Sequence, residues 1–423
     1  MTKTYCFWFK FCCLFSFATA QQIENAFHWE NEALLSFQSL AFSEESTFVG
    51  GVFQTSIESL MSSKESIGGN DTFLAQIEKN GEIIWLQTGG SSENDELTKI
   101  VHANGQIYAI GIYWVNGVFG DIQLNTKKGS KSIFLLNYDT QGRSNWGISI
   151  DGSSNKNVSD LAVDHEGNLL LTGSFRDSLF VQEQAVLFAE QQSFFLIKFD
   201  PNGNLIWAKK AKNTTGKIEG IAIGITENND AILTGNFIGQ LEVETATIET
   251  NTEDENVFVV AFSADGAFLW LRSAGGVFPD EVADVQCFEG KVYLAGNYFG
   301  RLEMSESIII ESLGLNENIF LLTFDYDGLP LSAQNIGDVD LEHVTSIDIV
   351  KNQMVLGGFF QERMKIEDFT ITGEEGILNG FVLGLDSDSE PLWLYPFNST
   401  DNLLVNEVHF DPQIENRRTE HFR

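Results

Sequence analysis

The groups in this chain able to do chemistry are mostly carboxylates. Asp95, Glu96, Asp160, Glu219, Asp280, Glu281, Asp284 and Glu342 all fall where the chain begins a β-rich segment. Carboxylates gathered around one axis repel one another, which raises some of their pKa values or recruits a counter-ion. A calcium ion takes about six to eight oxygen ligands, so a negative rim holding a cation or a cationic ligand is one expectation and plain polarity at strand starts is the other. The turns Asp325-Tyr326-Asp327-Gly328 and Asp386-Ser387-Asp388-Ser389-Glu390 partly resemble acidic calcium loops, although ordinary turn preference puts Asp and Gly at the same places.

Other chemistries find little support. His28, His102, His165, His343, His409 and His421 are scattered without HxH or HExxH spacing, so a zinc or copper site would need distant segments to converge. There is no G-x-S-x-G elbow, no phosphate-cradling G-x-x-x-x-G-K-S/T loop and no C-x-x-C pair. Cys287, within Val285-Gln286-Cys287-Phe288, reads as a small apolar residue and not as a nucleophile. No catalytic residue is assigned, and calcium is the one cofactor worth testing.

Charge excludes one class of partner. The chain carries 25 basic against 60 acidic residues, a net charge of −35, whereas binding to nucleic acid needs a basic surface. The acids are dispersed, as in a soluble coat that resists self-association and leaves the protein a monomer. Residues 1–20 differ from the rest: Lys3 and Lys10 are basic, Phe11 to Phe17 is apolar, and Ala18-Thr19-Ala20 satisfies the small-x-small rule of signal peptidase. Their removal would make Gln21 the first residue and Cys287 the lone cysteine. An uncleaved anchor is the alternative, though the apolar run is short for a bilayer. No other stretch is apolar enough to span a membrane.

The strongest signal is a repeat. Gly51, Gly111, Gly173, Gly235, Gly296 and Gly357 form one column; Phe73, Phe134, Phe195, Phe258, Phe320 and Phe381 form a second. Twelve residues after each Phe stands Trp85, Trp146, Trp207, Trp270, Ser332 or Trp393, and successive copies lie 60 to 63 residues apart. Each copy reads as four short strands in two hairpins. In the third, Leu161 to Asp164 and Leu169 to Phe175 flank Glu166-Gly167-Asn168, and Phe195 to Phe199 and Leu205 to Lys209 flank Asp200-Pro201-Asn202-Gly203. Four strands cannot bury both faces alone, so the units must stack. Closing them into a ring protects the sheet edges. The fold class is therefore all-β, a β-propeller of six four-stranded blades over about 36–90, 96–152, 157–212, 217–276, 280–338 and 340–400. Residues 21–35 hold an accessory strand resembling an outer strand at Ala26 to Trp29, and 401–423 hold an extra first-strand-like segment, Leu403 to Phe410, with a polar tail. The rival is a ring of seven whose last repeat is incomplete.

The pattern carried by Phe195 to Ala208 and by Gly167 to Phe175 resembles the SBBP-type β-propeller repeats of exported bacterial proteins. The resemblance covers about residues 36–396 and departs from the pattern at Ser332, at Ser389 and in the longer turn Thr226 to Asp230. It implies a secreted, periplasmic or surface propeller of a Gram-negative bacterium, and it carries over no active-site residue. The expected function is a non-enzymatic binding module for a protein or glycan at the cell exterior. A polysaccharide-active enzyme with its site in the channel, and a purely structural surface protein, are the alternatives. Intact-mass measurement of the exported protein should give an N-terminus at Gln21; finding Met1 there would refute cleavage.

Overall fold

Short apolar segments separated by tight Asp- and Gly-containing turns fold here into consecutive antiparallel sheets. The computed structural model describes residues 35–410 apart from 44–45, 59–62, 79–81, 127–130, 251–253, 313, 315, 352 and 400–401; before residue 35 it describes only the paired strands Phe11–Cys12 and Asn25–Ala26. The cleavage point after Ala20, Trp29, the Lys79-Asn80-Gly81 turn and the tail from Asp411 lie outside the described residues.

The protein is a β-propeller. Its six four-stranded units have inner strands Leu35–Phe42, Glu96–Ala103, Lys156–Val163, Ile218–Ile225, Asp280–Phe288 and Glu342–Val350. Their outer strands are Ile83–Gly90, Ser144–Gly152, Leu205–Lys210, Phe268–Ala274, Pro330–Ile336 and Pro391–Phe397. Successive inner strands touch from the first unit to the sixth. Between the sixth and the first lies an extended segment, residues 402–410. The Leu403 N–H donates to Leu378 O at 2.9 Å, just as Asp95 donates to Asn70 O at 2.7 Å and Asp280 to Glu255 O at 2.9 Å. The six sheets expected from the repeat are present, and the ring closes through one further inner segment, placed where a seventh unit would begin. Among the described residues there is no helix long and apolar enough to cross a membrane.

The glycine and phenylalanine columns have one joint cause. Each inner strand carries a β-bulge, and beside it a carbonyl leans over the neighbouring strand: a Cβ on Gly51 would lie 2.0 Å from Ser36 O and 2.9 Å from the Phe73 ring. The same squeeze recurs at Gly111, Gly173, Gly235 and Gly296, under Glu96 O, Asn157 O, Glu219 O and Glu281 O. In the sixth unit the residue so placed is Gly358, under His343 O and paired with Phe381, so the column assigned there to Gly357 shifts by one. A side chain at these positions would push the inner strand away, and the bulge turns one residue per strand toward the ring axis. The six Phe rings are almost wholly buried, each removing about 150–250 Å² from water.

The tryptophan column joins each unit to the next. Trp85, Trp207 and Trp270 donate Nε1–H to the turn carbonyls Thr140 O (3.1 Å), Ala264 O (3.2 Å) and Tyr326 O (2.8 Å) of the following unit. Their rings lie on the turn glycines Gly142, Gly266 and Gly328, and Trp146 lies on Gly203. A Cβ on Gly328 would come within 2.5 Å of Trp270, and these turns hold φ of 77° to 85°. The departures at Ser332 and Ser389 are therefore one. Where the fifth unit has Ser332 in place of Trp, the facing turn of the sixth has Ser389 in place of Gly, at φ 66°, and Gln334 still donates to Ser389 O at 3.1 Å as Gln87 does to Gly142 O at 2.8 Å. Only Trp270 of the four contacting indoles is fully buried; Trp207 is half-buried.

The variable stretch between the second and third strands is also regular. It forms a small hairpin arm in each unit, such as Asn116–Phe119 with Ile122–Asn125 and Gln240–Val243 with Ala246–Glu249. Arms reach back to the preceding outer strand or to the residues just after it: Val118 pairs Gly90, Val181 pairs Ile150, Leu241 pairs Asn213 and Glu303 pairs Gly275. In the sixth unit Arg363 binds Asp338 at 2.6 Å instead.

Two outcomes follow from the joints. Trp270→Ala should cost about 3–5 kcal/mol in denaturant titration and Trp207→Ala less, because less area leaves water. Ser332→Trp should destabilise the native chain but stabilise a Ser389→Gly background, which a double-mutant cycle reads as a favourable coupling energy.

Candidate ligand-binding channel

The residue after each bulge faces the axis. Counting from the bulges, the equivalent positions are Ser39, Lys99, Asp160, Ala222, Asp284, Ser346 and, in the closing segment, Glu407. All of these but the buried Ser39 line an axial cavity of about 190 Å³, together with the bulged residues Gln38, Ser159, Ile221, Ala283 and Thr345 and with Asn406 of the closing segment. One side, Ile221, Ala222 and Ala283, is apolar; the rest is polar or charged.

These polar groups bind the neighbouring strand as well as the cavity. Backbone N–H groups one unit onward donate to them: Ile100 to Ser39 Oγ (3.1 Å), Ile223 to Asp160 Oδ2 (2.8 Å), Ile347 to Asp284 Oδ2 (3.1 Å), Val408 to Ser346 Oγ (3.4 Å) and Leu40 to Glu407 Oε2 (2.8 Å). Lys99 and Ala222 cannot accept. At those steps Lys99 Nζ meets Asp160 at 3.5 Å, and Asn236 Oδ1 accepts from Val282 N–H at 3.0 Å. Every junction around the ring thus has a polar clasp.

Lys99 is the electrostatic centre. Its Nζ lies 3.1 Å from Glu407 Oε1 as well as near Asp160. Burial alone would lower its pKa, but Glu407, Asp160 and Asp284 hold it above the ordinary lysine value. Burial pushes Asp284 up to about 6, against the pull of Lys99. His409, 3.2 Å from Glu407 and 3.6 Å from Asp348, is raised to about 10 by those carboxylates against the effect of burial. The counter-charge expected from a bound cation is supplied in part by the chain's own ammonium and imidazolium.

The eight carboxylates singled out from the sequence do not form one rim. The bulge and register separate them into three levels. Asp160 and Asp284 reach the axial cavity. Glu96, Glu219 and Glu281 stand three residues earlier in their strands, where their carbonyls cover the glycine column; Glu219 pairs with Lys217 at 3.0 Å. Asp95, Asp280 and Glu342 are buried one residue earlier still, where each caps the loop before its strand. Lys99 and Glu407 were missed. Alignment of Lys99 with Asp160 and Asp284 in one column, opposite charges at one repeat position, was the signal.

The two calcium-like turns are built otherwise. Asp325 Oδ1 accepts from the Asp327 and Leu329 N–H groups at 3.0 and 2.7 Å, and Asp386 Oδ1 from those of Asp388 and Glu390 at 2.9 and 3.0 Å. The same bonds form at Asp139 and Asp200, so these carboxylates shape turns. Among the described residues no group of three or more His, Cys, Asp or Glu is arranged to hold a metal ion. Cys287 is half-buried beside Gly224, its thiol pKa raised by burial.

No family model matches the chain. It is similar to an uncharacterized WD repeat-containing protein of Acanthamoeba polyphaga mimivirus, at 27% identity over 175 residues, 36% of this chain and 12% of that protein. The chain thus spans about an eighth of that relative's length. Among solved structures, a GH43 endo-arabinanase from Bacillus licheniformis aligns with 10% identity and a TM-score of 0.31, covering 70% of this chain and 95% of the other.

Removing the central ammonium should leave buried carboxylates unpaired. Lys99→Met is expected to cost about 3–5 kcal/mol at neutral pH, and part of that loss should return near pH 5, where the carboxylates can take up protons; urea titrations at the two pH values check this.

Proposed function

We propose that this protein is a secreted, monomeric, non-enzymatic binding module at the exterior of a Gram-negative bacterium, and that its partner, a protein or glycan, docks on the face carrying the hairpin arms. The observation that carries the reading is the division of labour between axis and face. Carboxylate and hydroxyl oxygens at the axis accept backbone N–H groups of adjacent units, so they clasp the ring and are not free to shuttle protons. The arms share a backbone but no motif, and they expose apolar side chains, among them Val118, Ile309 and Phe188, the last 59% exposed. Rigid scaffolds commonly carry recognition on such variable connections. The signal-like N-terminus and the likeness to exported bacterial repeats support the location.

One observation favours a second reading, a glycan-active enzyme: the axial cavity holds Asp284, raised to about 6, beside the carboxyl groups of Asp160 and Glu407, an arrangement that could supply a general acid. A single comparison separates the two. Binding to isolated cell-envelope polysaccharide and protein fractions is measured for the native chain, for Val118→Ser with Phe188→Ser and Ile309→Ser, and for Asp160→Asn with Asp284→Asn, alongside release of reducing sugar. The binding-module reading expects at least about tenfold weaker binding for the arm variant only and no sugar release from any form. Release that disappears in the channel variant would establish the enzyme instead.

A further inference from the structure

The third set of carboxylates carries a separate consequence. Asp95, Asp280 and Glu342 occupy the same repeat position, at the junction where one unit hands over to the next. All are buried, Asp280 and Glu342 completely. In each, one oxygen accepts from the N–H four residues back: Ser91 to Asp95 Oδ2, Gly276 to Asp280 Oδ2 (2.8 Å) and Asp338 to Glu342 Oε1 (3.3 Å).

Asp95 Oδ1 accepts from the Ser91 hydroxyl at 2.9 Å and the Trp114 N–H at 3.2 Å, whereas the other oxygen of Asp280 and of Glu342, Oδ1 and Oε2, meets no donor. Asn256 Oδ1 and Asn318 Oδ1, near the starts of the preceding units' third strands, have none either; a Cβ on Gly337 would lie 2.6 Å from Glu342 Oε2 and 3.3 Å from the Asn318 amide nitrogen. The amide of Asn318 is already oriented, its Nδ2 donating to Asn335 Oδ1 and Asp338 O at 3.1 Å each, so its oxygen is left over. At the junction of the first and second units the corresponding residue is Asp71. Its Oδ1 is likewise without a donor, and a Cβ on Gly90 would lie 2.1 Å from that oxygen and 2.6 Å from Asp95 Oδ2. Two buried acceptors side by side are each left paying the desolvation cost unless a hydrogen lies between them. Where the chain places a cation at this position instead, it is satisfied: Lys156, also buried, donates to Lys131 O and to Ser154 O.

We propose that three junctions of the ring are closed by protons: Asp280 and Glu342 are neutral carboxylic acids that donate to the amide oxygens of Asn256 and Asn318, and Asp95 and Asp71 share one proton. Burial pushes Asp95 up to about 7 and Asp280 and Glu342 up to about 8. The charged groups facing them are Asp71 at Asp95, Asp254 at Asp280, and Asp338, Asp340 and Arg363 at Glu342; the Tyr298 hydroxyl also feels Asp280. All but Arg363 favour the neutral acid.

The sign follows from linkage. A carboxyl whose folded pKa exceeds its unfolded value of about 4 contributes stability that is fully present below that value and is lost as pH rises through 7 to 8. His409, raised to about 10, adds an alkaline loss of its own, so variants must isolate the junctions. Melting temperature is measured from about pH 5 to about pH 9 for the native protein and for Asp280→Asn with Glu342→Gln, whose amides can donate without a proton to lose. The native protein should lose several degrees across this range. The variant should match it near pH 5 and lose clearly less at alkaline pH. A native-like slope in the variant would overturn the proposal. Should the variant fail to fold, infrared spectra of the native protein decide: the C=O stretch of protonated carboxyls, shifting in deuterated water, must persist at neutral pH, and its absence would overturn the proposal equally.

Discussion

A carbonyl oxygen lying about 2 Å from where a side chain would begin is the constraint on which this ring depends. Glu96 O over Gly111 and Glu281 O over Gly296 are examples. Only glycine admits the approach, the approach accommodates the bulge, and the bulge decides which residue turns to the axis. Asp160, Lys99 and Glu407 meet there because a side chain is missing one strand away. The same offset sets the level of every other polar group on the inner strands, and so divides carboxylates that look equivalent in sequence into axial clasps, glycine covers and junction caps.

Much of the fold was legible in the sequence because its cause is local and recurs. Phe and Trp at fixed spacing betray the buried face and the joint, and turns such as Asp200 to Gly203 announce their hairpins. The hairpin arms were not legible, since pairing of Val118 with Gly90 or Leu241 with Asn213 uses backbone atoms and leaves no residue signature. The adjacent glycines Gly357 and Gly358 hid a one-residue shift that only the bulge resolves. At the candidate site the acidic residues were visible, but their partition was not. Spacing near 61 residues cannot distinguish positions three or four residues apart once a bulge intervenes. Glu407 lay in a segment read as an appendage, yet it clasps Leu40 and Lys99 across the closing junction.

The charge economy of the molecule fits this layout. A chain with net charge −35 gains nothing from clustering further acids at its axis. It places one lysine among three carboxylates there, buries Asp95, Asp280 and Glu342 at the junctions, and spreads acids such as Glu303 over the outside. Desolvation makes that single ammonium important: the groups around Lys99 are worth more to one another in the channel than the exposed pairs such as Arg301 with Glu303 are in water.

The indole of one unit resting on the turn of the next means that the inherited module is not the repeat. Trp270 belongs functionally with Gly328, and Ser332 with Ser389, across the boundary that repeat alignment would draw. Recombination that exchanged whole units would separate the indole at each cut from the turn shaped to receive it, whereas an exchange cut in the turn just before the outer strand, between Gly142 and Trp146 for example, would carry every joint intact. Lineages built on this architecture should therefore show their duplications phased one strand away from the visible period, with joints copied whole and sheets stitched from two parents.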